Sequence, residues 1–288
     1  MRGSDDFFNI PLPLSNAPDV FLNQLDRTWM DGKENENGLT FSIYPSEINA
    51  GVKDDGSVEY KINKQFFRCD DFKKNHENKK HVLFAGCSET EGVGSPSDTV
   101  WSKIVYDKLS EKEDLSGYFN IGRAGAGWEK IASLFLAYEK EYGSPDELYI
   151  LLPNLCRYYE WIDDKNHFEY VQRAWHEGMV TEKRYKEELI RFIMGWKLFE
   201  RYCEAKNVKL IWGTWEHRDN GHYKRSAPFN NFIELPAREE NHGHFRSFIE
   251  KTRPSGKLLK YDLNRRDGHH GVLIHEFWAS IFLENILK

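Results

Sequence analysis

The hydrophobic and polar positions change texture near residue 80. Before it, prolines at 11, 13, 18 and 45, with Asn, Asp and Gly between them, exclude long helices. Only Leu39 to Tyr44 and Val58 to Ile62 alternate enough to predict short strands. Residues 1–80 therefore read as an irregular N-terminal arm wrapped around the rest. The polar run Lys74 to Lys80 reads as a solvated loop or helix end before the first core strand.

From Val82 onward, apolar runs alternate with segments of helical spacing. The predicted strands are Val82 to Ala85, Tyr118 to Ile121, Leu148 to Leu152 and Lys209 to Trp212. The predicted helices are Asp98 to Leu109, carried by Val100, Ile104, Val105 and Leu109, then Trp128 to Tyr142, Glu182 to Lys206 and His275 to Leu287. Such alternation predicts a parallel sheet of about five strands with helices on both faces, a three-layer α/β/α sandwich over residues 81–288. Two long aromatic and polar stretches, 155–180 and 214–256, interrupt the rhythm as insertions. Long connections at the carboxyl ends of strands usually carry binding.

Composition narrows the function classes. With 288 residues, 40% of them hydrophobic and 15% aromatic, the chain can bury a substantial core as one large domain. Its net charge is −6 and its Lys and Arg are scattered among acids, which argues against nucleic acid as a partner. The cysteines at 69, 87, 156 and 203 form no Cys-x-x-Cys pair, so neither a structural zinc site nor a disulfide framework is expected. The N-terminus has no signal-peptide core, and no apolar run approaches the roughly 20 residues that span a membrane. The expectation is a soluble, cytoplasmic protein without a membrane partner. His217, His222, His242 and His244 have no metal-ligand spacing, and neither a metal nor a cofactor is expected.

Four stretches carry candidate chemistry. His81 to Gly94 runs from strand through a glycine-flanked turn to helix and presents Ser88 at a strand's carboxyl end. There, helix N–H groups favour developing negative charge. A Gly-x-Ser after a buried strand is also a common plain turn. The second stretch, Asn120 to Trp128, holds three closely spaced glycines after a strand. Gly125 could offer an N–H to an oxyanion, whereas the spacing fits neither a dinucleotide fingerprint nor a P-loop. The third ends a strand at Asn154, which is either a turn residue or an amide donor to the same oxyanion. In the fourth, Asp267 and His270 stand three apart before the last helix, a spacing that lets a carboxylate orient an imidazole toward a serine. His269 competes for that role.

Taken together and in order, Gly86-Cys87-Ser88 with Thr90 and Gly92, then Gly125, Asn154 and Asp267-x-x-His270, resemble the SGNH hydrolases of the GDSL esterase and lipase superfamily. Asn63 to Arg68 is similar to a segment that often precedes the first block in bacterial members, so the resemblance covers roughly residues 58–288. It implies a flavodoxin-like strand order and an acyl-enzyme mechanism. Ser88 would be the nucleophile, His270 the general base and Asp267 its orienting partner, with the Ser88 N–H, the Gly125 N–H and the Asn154 side chain forming the oxyanion hole. Cys87 stands where the family has Asp, Pro153 and Leu155 where it has Gly and Asp, and Gly271 where proline commonly follows the histidine. These departures point to a divergent branch, and the Gly86-Cys87-Ser88-x-Thr90-x-Gly92 form resembles that of marine bacterial and bacteriophage proteins.

Two functions follow as expectations. One is a serine esterase removing acetyl or similar small acyl groups from a carbohydrate, with Trp161, Trp175, Trp212 and Trp215 as stacking surfaces or, equally, as core. The other is a structural or adhesion protein of a phage particle with weak or no catalysis, whose partners would be virion proteins. The oligomeric state, and hydrolysis versus acyl transfer, stay open at this level.

Overall fold

The computed structural model describes residues 31–35, 38–43, 58–65, 67–155, 157–162, 167–172, 181–215, 223, 229–235, 248 and 269–287. Its centre is a sheet of five strands: β4 (Val82–Gly86), β5 (Phe119–Asn120), β6 (Glu147–Leu152), β9 (Lys209–Thr214) and β10 (Phe232–Ile233). Their spatial order is β10-β9-β6-β4-β5, and every pairing is parallel. Renumbered along the sheet's own strands this is 2-1-3-4-5 read from the β5 edge, the flavodoxin-like order. Two further units are antiparallel: β1 (Asp31–Asn35), β2 (Gly38–Ile43) and β3 (Val58–Lys61) in one sheet, and the hairpin of β7 (Arg157–Ile162) and β8 (His167–Gln172).

Strand alternation sorts the core into two layers. Leu83, Ala85, Leu148, Ile150, Leu152, Leu210 and Trp212 face one side. There they pack against α3 (Trp128–Tyr142) and α4 (Glu182–Ala205). Val82, Phe84, Tyr149, Leu151 and Ile211 face the other side, against α2 (Trp101–Ser110) and α5 (Val272–Ile286). Both faces are covered, which is why these strands read as continuous apolar runs rather than as alternation.

The element ends have local causes. The Thr181 side chain caps α4 by accepting the Arg184 N–H at 3.1 Å, and α3 ends at Gly143, whose φ is 91°. The helix expected over Asp98 to Leu109 is broken: residues Ser97–Thr99 form a 3₁₀ turn, Val100 is extended, and α2 starts at Trp101. The Val100 side chain fills the space over Gly92, where an added Cβ would lie 2.3 Å from Val100 Cγ2. Helix α5 starts at Val272, three residues ahead of the predicted His275, so that histidine is buried within the helix instead of opening it.

Candidate active site

Strand register brings three of the candidate stretches to one edge. Gly86 lies opposite Leu151 and Phe84 opposite Asn120. Ser88, Asn154 and Gly125 therefore all follow the carboxyl ends of the neighbouring strands β4, β6 and β5. In parallel α/β sheets this is the edge where ligands bind.

The short helix α1 (Ser88–Glu91) sits over that edge, and each of its residues engages a different partner. It can fit there only because residue 86 lacks a side chain: a Cβ on Gly86 would meet Thr90 Oγ1 at 2.0 Å and the Leu151 carbonyl at 2.7 Å. Ser88, 5% exposed, is the first residue of the helix. The Cys87 carbonyl accepts from Thr90 N–H at 3.0 Å and Glu91 N–H at 2.9 Å. The helix's own bonding thus makes no use of the N–H groups of Ser88 and Glu89. Thr90 Oγ1 accepts the Trp101 indole N–H at 3.2 Å, and the Thr90 carbonyl accepts from Asn120 Nδ2 at 2.7 Å.

Glu89 is the electrostatic centre. It is 5% exposed, and its Oε1 accepts both the backbone N–H of His270 at 3.2 Å and ring Nδ1 at 2.9 Å. Its other oxygen, Oε2, lies 3.4 Å from His275 Nε2. Burial raises the Glu89 pKa, but the hydrogen bonds and charges of the two histidines outweigh burial and hold the carboxyl well below the usual carboxylate range. The tautomers follow from the partners. Because an ionised carboxylate can only accept, His270 Nδ1 carries a proton toward Glu89, and in the neutral ring the lone pair is on Nε2. His275 has the opposite assignment: its Nδ1 accepts the Trp101 backbone N–H at 3.4 Å, so its Nε2 carries the proton toward Glu89. The His270 ring is packed edge-on between Trp215 and Trp278, with centroid distances of 5.5 and 4.8 Å.

Glu91 fastens the glycine loop. Its Oε2 accepts the Ala124 N–H at 2.5 Å and its Oε1 lies 3.6 Å from Arg123 Nη1. Arg123, itself 8% exposed, stacks on Phe67 at 3.9 Å from the ring centroid. Gly122 must be glycine for this approach, since a Cβ would fall 2.6 Å from the Glu91 nitrogen. Gly125 turns the loop with φ 77° before α3 begins. From below, Arg68 donates to the Gly92 carbonyl and, at 2.6 Å, to the Ser95 carbonyl. Asn63 folds the segment that presents it, accepting the Phe67 N–H at 2.8 Å and donating to the Asp70 carbonyl at 2.8 Å. A cavity of about 360 Å³ beside Asn63, Arg68, Lys103 and Tyr118 is lined by none of the candidate site residues.

The structure thus places His270 against Glu89, the residue that follows Ser88, at the edge that also carries Gly125 and Asn154. Asp267, expected to orient His270, lies outside the described residues, as do Trp175, His217, His222, His242 and His244 and the side chain of Trp161. Trp212 is not a binding surface. It is fully buried, and its Nε1 donates to Glu200 Oε1 at 3.3 Å. Trp215 does reach the site, hung from the Leu152 carbonyl by its N–H at 3.4 Å. Glu89, Glu91 and His275 were not foreseen as site residues. A carboxylate beside a turn serine ordinarily points to water, and only the long-range pairing with residues 270 and 275 shows otherwise. Among the described residues, no group of His, Cys, Asp and Glu is arranged to hold a metal ion.

No family model matches the sequence, and no curated protein matches it. Among solved structures the chain is similar to one titled "Crystal Structure of TesA", at 13% identity and a TM-score of 0.39, over 72% of this chain and 95% of the other. That distant likeness concerns the fold and adds nothing to the chemistry.

Proposed function

We propose that the chain is a serine hydrolase of the SGNH type that cleaves carboxylic esters through an acyl-enzyme. One observation carries the reading: Ser88 opens a helix whose next residue, Glu89, holds His270 Nδ1 at 2.9 Å, leaving Nε2 of that ring as a base. In this reading His270 Nε2 takes the Ser88 hydroxyl proton as Oγ attacks the acyl carbonyl. The negative charge that forms on the carbonyl oxygen is met by the N–H groups of Ser88 and Gly125 and by the Asn154 amide. The proton then passes from His270 to the departing alkoxide, and water repeats the sequence on the acyl-serine.

The alcohol half of the substrate is proposed to be a carbohydrate and the acyl group a small one such as acetyl. Trp215 supports this, since its half-buried ring flanks His270. An indole face suits the apolar face of a sugar ring.

Labelling with a serine-reactive fluorophosphonate, with the modified site mapped by mass spectrometry, tests the reaction class. Modification at Ser88, lost in Ser88→Ala, is the expected result. A stable, folded protein that takes no label, or takes it at another serine, removes the reading. Release of acetate from acetylated oligosaccharides, measured against p-nitrophenyl acetate, tests the substrate class.

A further inference from the structure

We infer that Glu89, rather than the Asp267 of its own loop, is the carboxylate that positions His270. The inference rests on the hydrolase reading above and replaces one of the roles that the sequence resemblance implied.

Three contacts define the device. Glu89 Oε1 accepts from both the backbone and the ring of His270, at 3.2 and 2.9 Å, so it fixes the ring's place as well as its tautomer. Oε2 is held 3.4 Å from His275 Nε2, and His275 is itself held by the Trp101 N–H at 3.4 Å. His275 is 1% exposed and lies in the first turn of α5, so it cannot swing away without unpacking that helix. The carboxylate is therefore gripped on both oxygens, one grip directed to the reactive ring and the other to the core. An imidazole has a single Nδ1–H, and a well-aligned hydrogen bond has one acceptor. Glu89 Oε1 takes that bond, the one through which an orienting carboxylate acts.

The covalent connection adds a property that an Asp three residues before the histidine would not have. The positioning carboxylate is the chain neighbour of the nucleophile. Ser88 and the anchor of its base ride on one four-residue helix, which Glu91 and Thr90 tie to β5 and α2. The nucleophile and the anchor of its base are thereby tied to the same helix α1.

Glu89→Gln keeps the shape and an acceptor but places an amide where the ionised oxygens are. In Glu89→Gln, kcat for p-nitrophenyl acetate should fall on the order of 10²–10⁴-fold with KM within about threefold, and the fall in Asp267→Asn should be at least about tenfold smaller. Proton NMR supplies a readout that a merely structural role would not move. The wild-type protein should show a low-field imidazole N–H resonance that is absent from His270→Gln, displaced in Glu89→Gln and retained in Asp267→Asn. If Glu89→Gln does not fold, Glu89→Asp is measured instead: it keeps the charge one methylene short, and should show a displaced resonance with a kcat loss still exceeding that of Asp267→Asn. A loss in Asp267→Asn that equals or exceeds that in the Glu89 variant, or displacement of the resonance by Asp267→Asn alone, overturns the inference. If wild type neither labels at Ser88 nor turns over ester, the hydrolase reading has failed. The resonance then decides the pairing alone: displacement in Glu89→Gln upholds it, and persistence there overturns it.

Discussion

Glu91 accepts the Ala124 N–H at 2.5 Å and faces the Arg123 guanidinium at 3.6 Å, which makes the helix that carries Ser88 and the loop that carries Gly125 one unit. An oxyanion donor is effective only when it is already aimed at the place where charge develops. Replacing Glu91 with Ala frees the loop and leaves Arg123 without that carboxylate. Ester turnover should fall about 10–100-fold in kcat with KM little changed. Glu91→Gln, which can still accept from Ala124, should lose less. Steady-state kinetics on both variants check this, and equal losses would show that the charge on Arg123, not the loop bond, is what matters.

His76 and His81 stack with centroids 3.7 Å apart, and His81 Nε2 bonds the Tyr138 hydroxyl at 2.8 Å. Burial, reinforced by the neighbouring His76 charge, lowers the His81 pKa to about 3 from an ordinary 6.5. The unfolded chain therefore binds a proton near pH 6.5 that the folded chain refuses until about pH 3. Stability is full above the unfolded value and declines as pH falls between the two. Between pH 7.5 and 5 the loss should be on the order of 2 kcal/mol. That window stays above the titration of the carboxylates with lowered pKa values, among them Glu89 and Glu147. Denaturant melts across it should show a flatter pH dependence in His81→Gln; an unchanged slope would assign the effect elsewhere.

Much of the fold was legible because its cause is periodic. The strand at Val82, the helix from Trp128 to Tyr142 and α4 appear within a residue or two of their predicted ends. The edge strand β10 was not legible. Phe232–Ile233 is a pair of residues inside a polar stretch, and it becomes a strand only by lying against Trp212 and Gly213. The site divides in the same way. Ser88, Gly125 and Asn154 could be placed from strand ends and glycines, which are local signals. Glu89 could not, because its meaning comes from partners 181 and 186 positions further along the chain. A lone glutamate carries no local mark of being buried.

Trp212 and Trp215 separate packing from binding. Trp212 is surrounded by Phe192, Trp196, Tyr223 and Phe229, and Trp212→Ala should cost about 3–5 kcal/mol of stability through the cavity it leaves. Trp215 lies half-buried beside His270, so Trp215→Ala should cost less stability and act on turnover. If the alcohol is a sugar, the loss in kcat/KM should be larger on an acetylated oligosaccharide than on p-nitrophenyl acetate. Equal losses on the two would point to Trp215 as support for the histidine ring rather than as a sugar platform.

The two adjacent histidines before α5 give the sharpest single comparison. His270 has its Nδ1 on Glu89 and its ring between Trp215 and Trp278, and the backbone N–H that would let it slide is held by the same carboxylate. One residue earlier, the side chain of His269 leaves the same stretch of backbone and is not bound to Glu89. A base must be held as well as present, so His270→Ala should lower kcat by at least about 10³-fold, as much as Ser88→Ala, because members of one proton-transfer unit are not additive. The double variant should be no slower than either single one. His269→Ala should change KM more than kcat, and by less than about tenfold in either. Single-turnover assays of all four variants, checked for folding by circular dichroism, distinguish the outcomes. A dead His269→Ala beside an active His270→Ala would move the base one residue along the chain, and it would leave the Glu89–His270 pair as a structural bond between α1 and the residues that lead into α5.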